Sequence, residues 1–337
     1  MSLFKISNVV FIGWRKDINR SISLLTTKLE QSLVKTQNFN EDVTQNSLSP
    51  VCEDLTHITP HYPKTFNLAA YVNSSELLQN LLHLGVNLNK IEKKPYVVNK
   101  LLILDFEKIK EHILFLKDYV DNDELGNFLS KNPMILHESL KDLETRVNYL
   151  QSKHFVNTEI QRIISKNPFW LMFSTTRIDK RLGYFQDAYS LSGVDVRFLA
   201  AKQPKLMTYN LHHVKINSFV LKEEMGFKDD EIKKLILSKP KLLMINQLSL
   251  LERFKYIHNT MNVSHSIILN CPEILMCRNF RLKQRHLFLK KLGRDQFDAK
   301  KENYVPLKAL VSDSDAEFCK KYAKCNVNDF NIFLKTL

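Results

Sequence analysis

The sequence predicts an all-α solenoid of stacked repeats, each of two α-helices and a very short helix of 3₁₀ type, on three observations. Seven of its ten prolines, Pro95, Pro133, Pro168, Pro204, Pro240, Pro272 and Pro306, stand 38, 35, 36, 36, 32 and 34 residues apart. In five consecutive repeats the residues three, ten and seventeen places after the proline are all apolar: Leu136, Leu143, Leu150; Leu171, Ile178, Phe185; Met207, Val214, Leu221; Leu243, Leu250, Ile257; Leu275, Leu282, Leu289. Between prolines lie apolar stripes at helical spacing, opened by residues that cap helices. The ends weaken, as terminal repeats of a stack should: Pro306 keeps Ala309, Ala316 and Ala323, and Pro95 keeps only Val98, with Asp105 and His112 at the other two places.

From the amino terminus, residues 1–29 hold Lys5, Arg15, Lys16, Arg20 and Lys28 against the single acid Asp17, interspersed with hydroxyl and apolar residues. That composition predicts an organelle transit peptide over 1–36. Residues 37–66 turn polar and contain the off-register Pro50, Pro60 and Pro63, which predicts a disordered linker. Residues 67–337 then form a domain of about seven repeats. In the Pro133 repeat, Ser139 should cap a long helix whose stripe is Leu140, Leu143, Val147 and Leu150. Asn157 or Thr158 should cap a second helix bearing Ile160, Ile163 and Ile164. Pro168 stops it by removing a donor and driving Asn167 out of the α region, and Phe169 to Phe173 begin a short 3₁₀ turn. The next cycle opens at Thr175 or Thr176. The same grammar places caps at Ser249, with Glu252 completing a capping box, at Asp229 and at Ser264. A proline every ~35 residues forbids a long coiled coil. The leucines therefore face neighbouring repeats, and a monomer is expected.

Composition removes several function classes. The seven glycines are too widely spaced for a GxGxxG turn or a Walker loop. His212, His213, Asp229, Asp230 and Glu231 show no spacing of nucleophile, base or metal ligand, so no enzyme and no cofactor is expected. Cys271 and Cys277, with His258, His265 or His286, could be written as a zinc site, but thiols on apolar helix faces are more often core. No stretch has the roughly 20 apolar residues of a membrane span, and no membrane association is expected.

The net charge of +13 is unevenly placed. Residues 1–66 carry 7 basic and 6 acidic side chains, 67–150 carry 10 and 12, and 151–337 carry 32 and 18. A surplus confined to the carboxyl-terminal half of a solenoid suits a polyanion, although a merely solubilising face has the same composition. Two columns recur on the long helix. Thirteen places after the proline stand Arg146, Arg181, Arg253 and Arg285, with Asn217 in the break; three further on stand Tyr149, Tyr184, Tyr256 and Phe288, with Val220 in the break. The arginines could contact phosphate or pair with acids of the adjacent repeat, and the aromatics could stack on bases or pack between repeats. Arg278, Arg281, Lys283, Arg285, Lys290, Lys291 and Arg294 form the densest cluster, with Arg278, Arg281 and Arg285 on one face as a phosphate clamp; Arg177, Lys180, Lys215 and Lys255 extend it over preceding repeats.

The proline period, the apolar triplet and the transit-like start resemble the mitochondrial transcription termination factor (mTERF) family over residues 67–337. The stretches Arg285 to Leu310 and Asn328 to Leu337 are similar to its branch associated with transcriptional repression. The resemblance implies a left-handed solenoid curved like a half-doughnut, with a positive concave path for double-stranded mitochondrial DNA or structured RNA, in the mitochondrial matrix. Family members terminate or repress mitochondrial transcription, and some assemble the mitochondrial ribosome through ribosomal RNA. Three expectations therefore compete: a non-enzymatic DNA-binding regulator of mitochondrial transcription, a ribosomal-RNA-binding factor for large-subunit assembly, and a protein-binding helical scaffold.

Overall fold

A computed structural model describes residues 67–337, so the predicted transit and linker segments lie outside the described residues. Every described element of regular structure is helical, apart from one isolated bridge between Gln296 and Tyr304. The prolines mark the joints. Each residue before the first six is held out of the α region, from Lys94 (φ −126°, ψ 83°) through Asn167 (−132°, 85°) and Lys239 (−135°, 75°) to Cys271 (−139°, 65°). Steric conflict with the proline ring dictates this, and the preceding helices end there, the one before Pro95 a residue earlier at Lys93.

The repeat is a short proline-led turn, a long helix and a shorter helix. In the Pro133 repeat these are Pro133–His137, Leu140–Ser152 and Asn157–Lys166; in the next, Trp170–Met172, Thr175–Ala188 and Gly193–Lys202. The Pro240 repeat has Pro240–Met244, Gln247–Lys255 and His265–Asn270. The turns are 3₁₀ helices, except that Pro95 and Pro204 start α-helical segments, Pro95–Leu102 and Pro204–Thr208. Long helices of the Pro204 and Pro240 repeats end in π turns, Val220–Glu224 and Tyr256–Thr260, which hydrophobic spacing does not announce.

All fifteen residues of the apolar triplets are at most 2% exposed and belong to one continuous core. Fully burying a leucine contributes roughly 1.5–3 kcal/mol, so this column is the main cohesive element of the stack. The carboxyl-terminal end departs from the triplet. Ala316 is exposed, and Phe288, Phe318, Phe330 and Phe333 instead pack ring against ring, Phe288 and Phe330 with centroids 5.0 Å apart. At the other end, Asp105 caps Phe106–Lys117 by accepting from the Glu107 N–H, and His112 Nε2 lies 2.8 Å from the Glu138 carbonyl.

Several expected caps move. Val156, not Asn157, occupies the cap position of the second helix, because the Glu159 carboxylate accepts the Val156 N–H and frees that side chain from the task. Lys228 and Glu231 repeat the arrangement in place of Asp229. Ser174 caps Thr175–Ala188, and Asn246 caps Gln247–Lys255 by accepting from Ser249, so Ser249 and Glu252 form no capping box. Ser139 and Ser264 hold cap positions without the hydroxyl-to-backbone bond.

Candidate nucleic-acid interface

The arginine column faces inward. A short turn that runs out into extended chain leaves its last carbonyls unpaired, and the long helix of the preceding repeat satisfies them. Arg253 Nη1 donates to the carbonyls of Leu275 (2.5 Å) and Cys277 (3.1 Å) in the following repeat, and Arg285 Nη1 to those of Leu310 (3.1 Å) and Ser312 (2.8 Å). Arg146 donates to the Leu171 carbonyl and pairs with Glu138 at 2.6 Å. In the break, Asn217 Nδ2 donates to Leu242 and Ile245. Arg253 is 7% exposed and Arg285 not exposed, its guanidinium bonded to Asp315 at 2.7 Å and 5.0 Å from the Phe318 ring centroid. The phosphate-contacting role expected of Arg146, Arg253 and Arg285 is thus corrected: each donates to a carbonyl of the next repeat, and Arg146 and Arg253 bond in addition to Glu138 and Ser249 of their own repeats. The expected clamp of Arg278, Arg281 and Arg285 loses its third member. Arg181 is the exception, with Nη1 enclosed and no acceptor; burial, then the like charge of Arg177, lowers its pKa.

The aromatic column also lies between repeats. The Tyr149 hydroxyl donates to Asp179 at 2.7 Å, and the Tyr256 hydroxyl lies 2.8 Å from His286 Nδ1. Burial first and the Asp179 bond second push the Tyr149 phenol well above its ordinary pKa. The partner column stands eleven places after the following proline: Asp179, Lys215 and Lys283, the lysine Nζ atoms 5.5 and 5.6 Å from the Tyr184 and Tyr256 ring centroids. Where the aromatic is replaced by Val220, that partner position holds Leu251.

The remaining predicted cations point away from the core. At about 100° per residue, positions twelve and fifteen after the proline lie opposite the stripe at ten and seventeen, and positions eleven and eighteen are turned about 100° from it. Lys215, Lys283, Lys180, Lys255 and Lys290 occupy them and are exposed. Arg177 and Arg278 are exposed and Arg281 half-buried, with Arg177 stacked 4.1 Å from the Phe173 ring centroid. Among the described residues, none of these eight forms an ion pair with a carboxylate.

Two features escaped the sequence reading. Pre-proline side chains form a second ladder: Asn132 Nδ2 donates to the Pro168 carbonyl (2.8 Å), Asn167 Nδ2 to that of Pro204 (3.1 Å), and Lys239 pairs with Glu273 (2.8 Å). The proline joints also carry exposed lysines, Lys131, Lys205, Lys241 and Lys308. Polar residues immediately before periodic prolines, and lysines one or two places away, were the available signals. The histidines and thiols weighed for zinc each have an internal partner: His265 Nε2 meets the Met225 carbonyl (2.7 Å), His258 Nδ1 that of Val263 (2.9 Å), and the Cys277 thiol that of Leu310. Burial pushes the Cys271 thiol up to about 11. No three metal-ligating side chains meet among the described residues, and no described helix is long and apolar enough to cross a membrane.

The family model for mTERF matches residues 24–319. The chain belongs to the mTERF family. Its mTERF relatives include the mitochondrial transcription termination factor 3 of Drosophila melanogaster, 48% identical over 288 residues, which cover 85% of this chain and 81% of that protein. The proteins of the same name from Rattus norvegicus and Mus musculus are each 47% identical, over 86% and 85% of this chain and 72% and 70% of theirs.

Proposed function

We propose that this chain is a non-enzymatic regulator of mitochondrial transcription that acts in the mitochondrial matrix by binding double-stranded DNA. One observation carries the reading: eight cations, Arg177, Lys180, Lys215, Lys255, Arg278, Arg281, Lys283 and Lys290, lie outside the core with no carboxylate partner among the described residues, all within the half whose surplus is +14 (32 basic and 18 acidic side chains). The mitochondrial and transcriptional names of the relatives support the compartment and the process. Repression or termination would follow from occupancy, since a protein held on the duplex obstructs a polymerase without any chemistry of its own.

Duplex contacts of this kind release counterions. Six to eight phosphates neutralised should give a slope of log K against log salt of about −5 to −7. Electrophoretic or anisotropy titration between low and physiological salt measures it, and a slope near zero sinks the phosphate-driven mode. Crosslinking in mitochondria should recover DNA; tags mapping to ribosomal RNA instead would replace this reading with that of an assembly factor.

A further inference from the structure

Phosphate contacts place a protein on a nucleic acid but carry no sequence information. One cleft within the basic half is built differently. Between the long helices Gln247–Lys255 and Asn279–Lys291 lies a cavity of about 490 Å³, floored by Leu282 and Tyr256 and flanked by Lys255 and Lys283. Glu252 projects into it and is exposed. Twelve places after the proline the other full repeats have Thr145, Lys180, Ile216 and Gln284, so Glu252 is the one acid at that place in the five full repeats, the weakened Pro95 repeat having Glu107. It forms no ion pair with either flanking lysine; its Oε2 accepts from Asn279 Nδ2 at 3.1 Å, and Oε1 takes no hydrogen bond from another described residue. Asn279 holds it at a cost, because its own Oδ1 is enclosed with no donor. An orphaned buried acceptor is unfavourable and persists where something else requires the geometry.

A carboxylate beside a polyanion is repelled unless the ligand presents a donor to it. Bases do so through their exocyclic amino groups, and acidic side chains accept from cytosine N4. We infer that this cleft is a base-reading pocket, in which the Glu252 carboxylate, positioned by Asn279, accepts a hydrogen bond from a nucleobase amino group while Lys255 and Lys283 hold the flanking phosphates. The assignment rests on the duplex-binding reading above and adds sequence preference to it.

The test uses the full chain and a pool of randomised 30-base-pair DNA duplexes, with bound strands sequenced. The wild-type protein should enrich an amino-bearing base at one or two adjacent positions. In Glu252→Ala that enrichment should fall roughly tenfold while affinity for the unselected pool rises, since a repulsive charge is gone. Glu252→Gln should shift the preference to adenine, which an amide can meet bidentately. Asn279→Ala should weaken the enrichment without changing pool affinity, the signature of a positioning residue. Thermal melts of each variant exclude misfolding as the cause. A wild-type protein with no preference, or an Ala variant that binds every sequence more tightly with enrichment unchanged, overturns the pocket. So does an effect confined to RNA hairpins, which would assign the donor to a ribose 2′-hydroxyl. Absence of any salt-dependent duplex binding by the wild type overturns the function itself, a result distinct from all of these.

Discussion

Residues 67–150 and 151–337 share one stacking plan and differ in charge, with 10 basic and 12 acidic side chains in the first against 32 and 18 in the second. Both use the same fasteners. Asn132 and Arg146 reach from the first segment into the Pro168 repeat as Asn167 and Arg253 reach onward in the second. Both also carry exposed cations outside any ion pair among the described residues, Lys108, Lys117 and Lys131 among those of the first, but only in the second do basic side chains outnumber acidic ones. On the proposed function, cohesion and ligand binding therefore reside in separate side-chain columns, sometimes two residues apart on one helix, and basic residues must be sorted by where their donors go before any is assigned to a ligand.

The comparison can be broken at its fasteners. Arg285→Met strips donors from the Leu310 and Ser312 carbonyls and strands Asp315, and should destabilise the fold by about 3–5 kcal/mol in urea unfolding while folded molecules bind duplex as before. Reversing Arg177, Lys180, Lys215 and Lys283 together to Glu should reduce duplex affinity by at least about 100-fold, with the salt slope shallower by about four phosphates, and lower the unfolding midpoint only slightly, because each is exposed without a carboxylate partner and the ring contacts of Arg177, Lys215 and Lys283 are worth about 0.5–1 kcal/mol each at exposed sites. Asn167→Ala removes two bonds to the Pro204 turn and should cost about 1–3 kcal/mol in the same unfolding experiment. Smallest of all, Lys141→Glu, an exposed change in the 67–150 segment, should alter duplex affinity less than about twofold at physiological salt, where exposed charges beyond roughly 8 Å are screened.

Acid provides a further check on the fasteners. Burial lowers the pKa of His286, which packs against Tyr256 across the repeat boundary. A depressed imidazole favours its neutral form in the folded state, so its stabilisation is full above the unfolded value near 6.5 and is lost as pH falls below it. His286→Phe should flatten the part of the stability–pH curve that lies below pH 6.5.

The period of the prolines and the buried triplet made the repeat legible, because steric exclusion at the pre-proline residue and burial of an apolar column are written in residue type and spacing alone. Cap positions were legible only within a residue. The Glu159 and Glu231 carboxylates perform the capping of helices that begin at non-capping residues, so the expected Asn157 and Asp229 fall inside the helix. The arginine column was visible as a column, but its direction was not. A basic residue beside an apolar stripe looks the same whether it meets phosphate or a carbonyl of the next repeat; only the unpaired carbonyls of the proline turns, a consequence of tertiary stacking, decide for Arg253 and Arg285. Helical rotation distinguishes the cations in part: Lys255, five places past the stripe residue Leu250, falls on the far side, whereas Lys215 and Lys283, one place past Val214 and Leu282, fall on the flank.

Arg253 and Lys255 stand two residues apart on one helix, the first bonded to Leu275 and Cys277 and the second exposed. Measuring urea stability and duplex affinity side by side for Arg253→Met and Lys255→Glu tests the division of labour most directly. The arginine variant should lose stability and keep affinity per folded molecule, and the lysine variant should keep stability and lose affinity. The opposite pattern, an Arg253 variant that folds normally yet fails to bind while the Lys255 variant binds normally, would contradict the account.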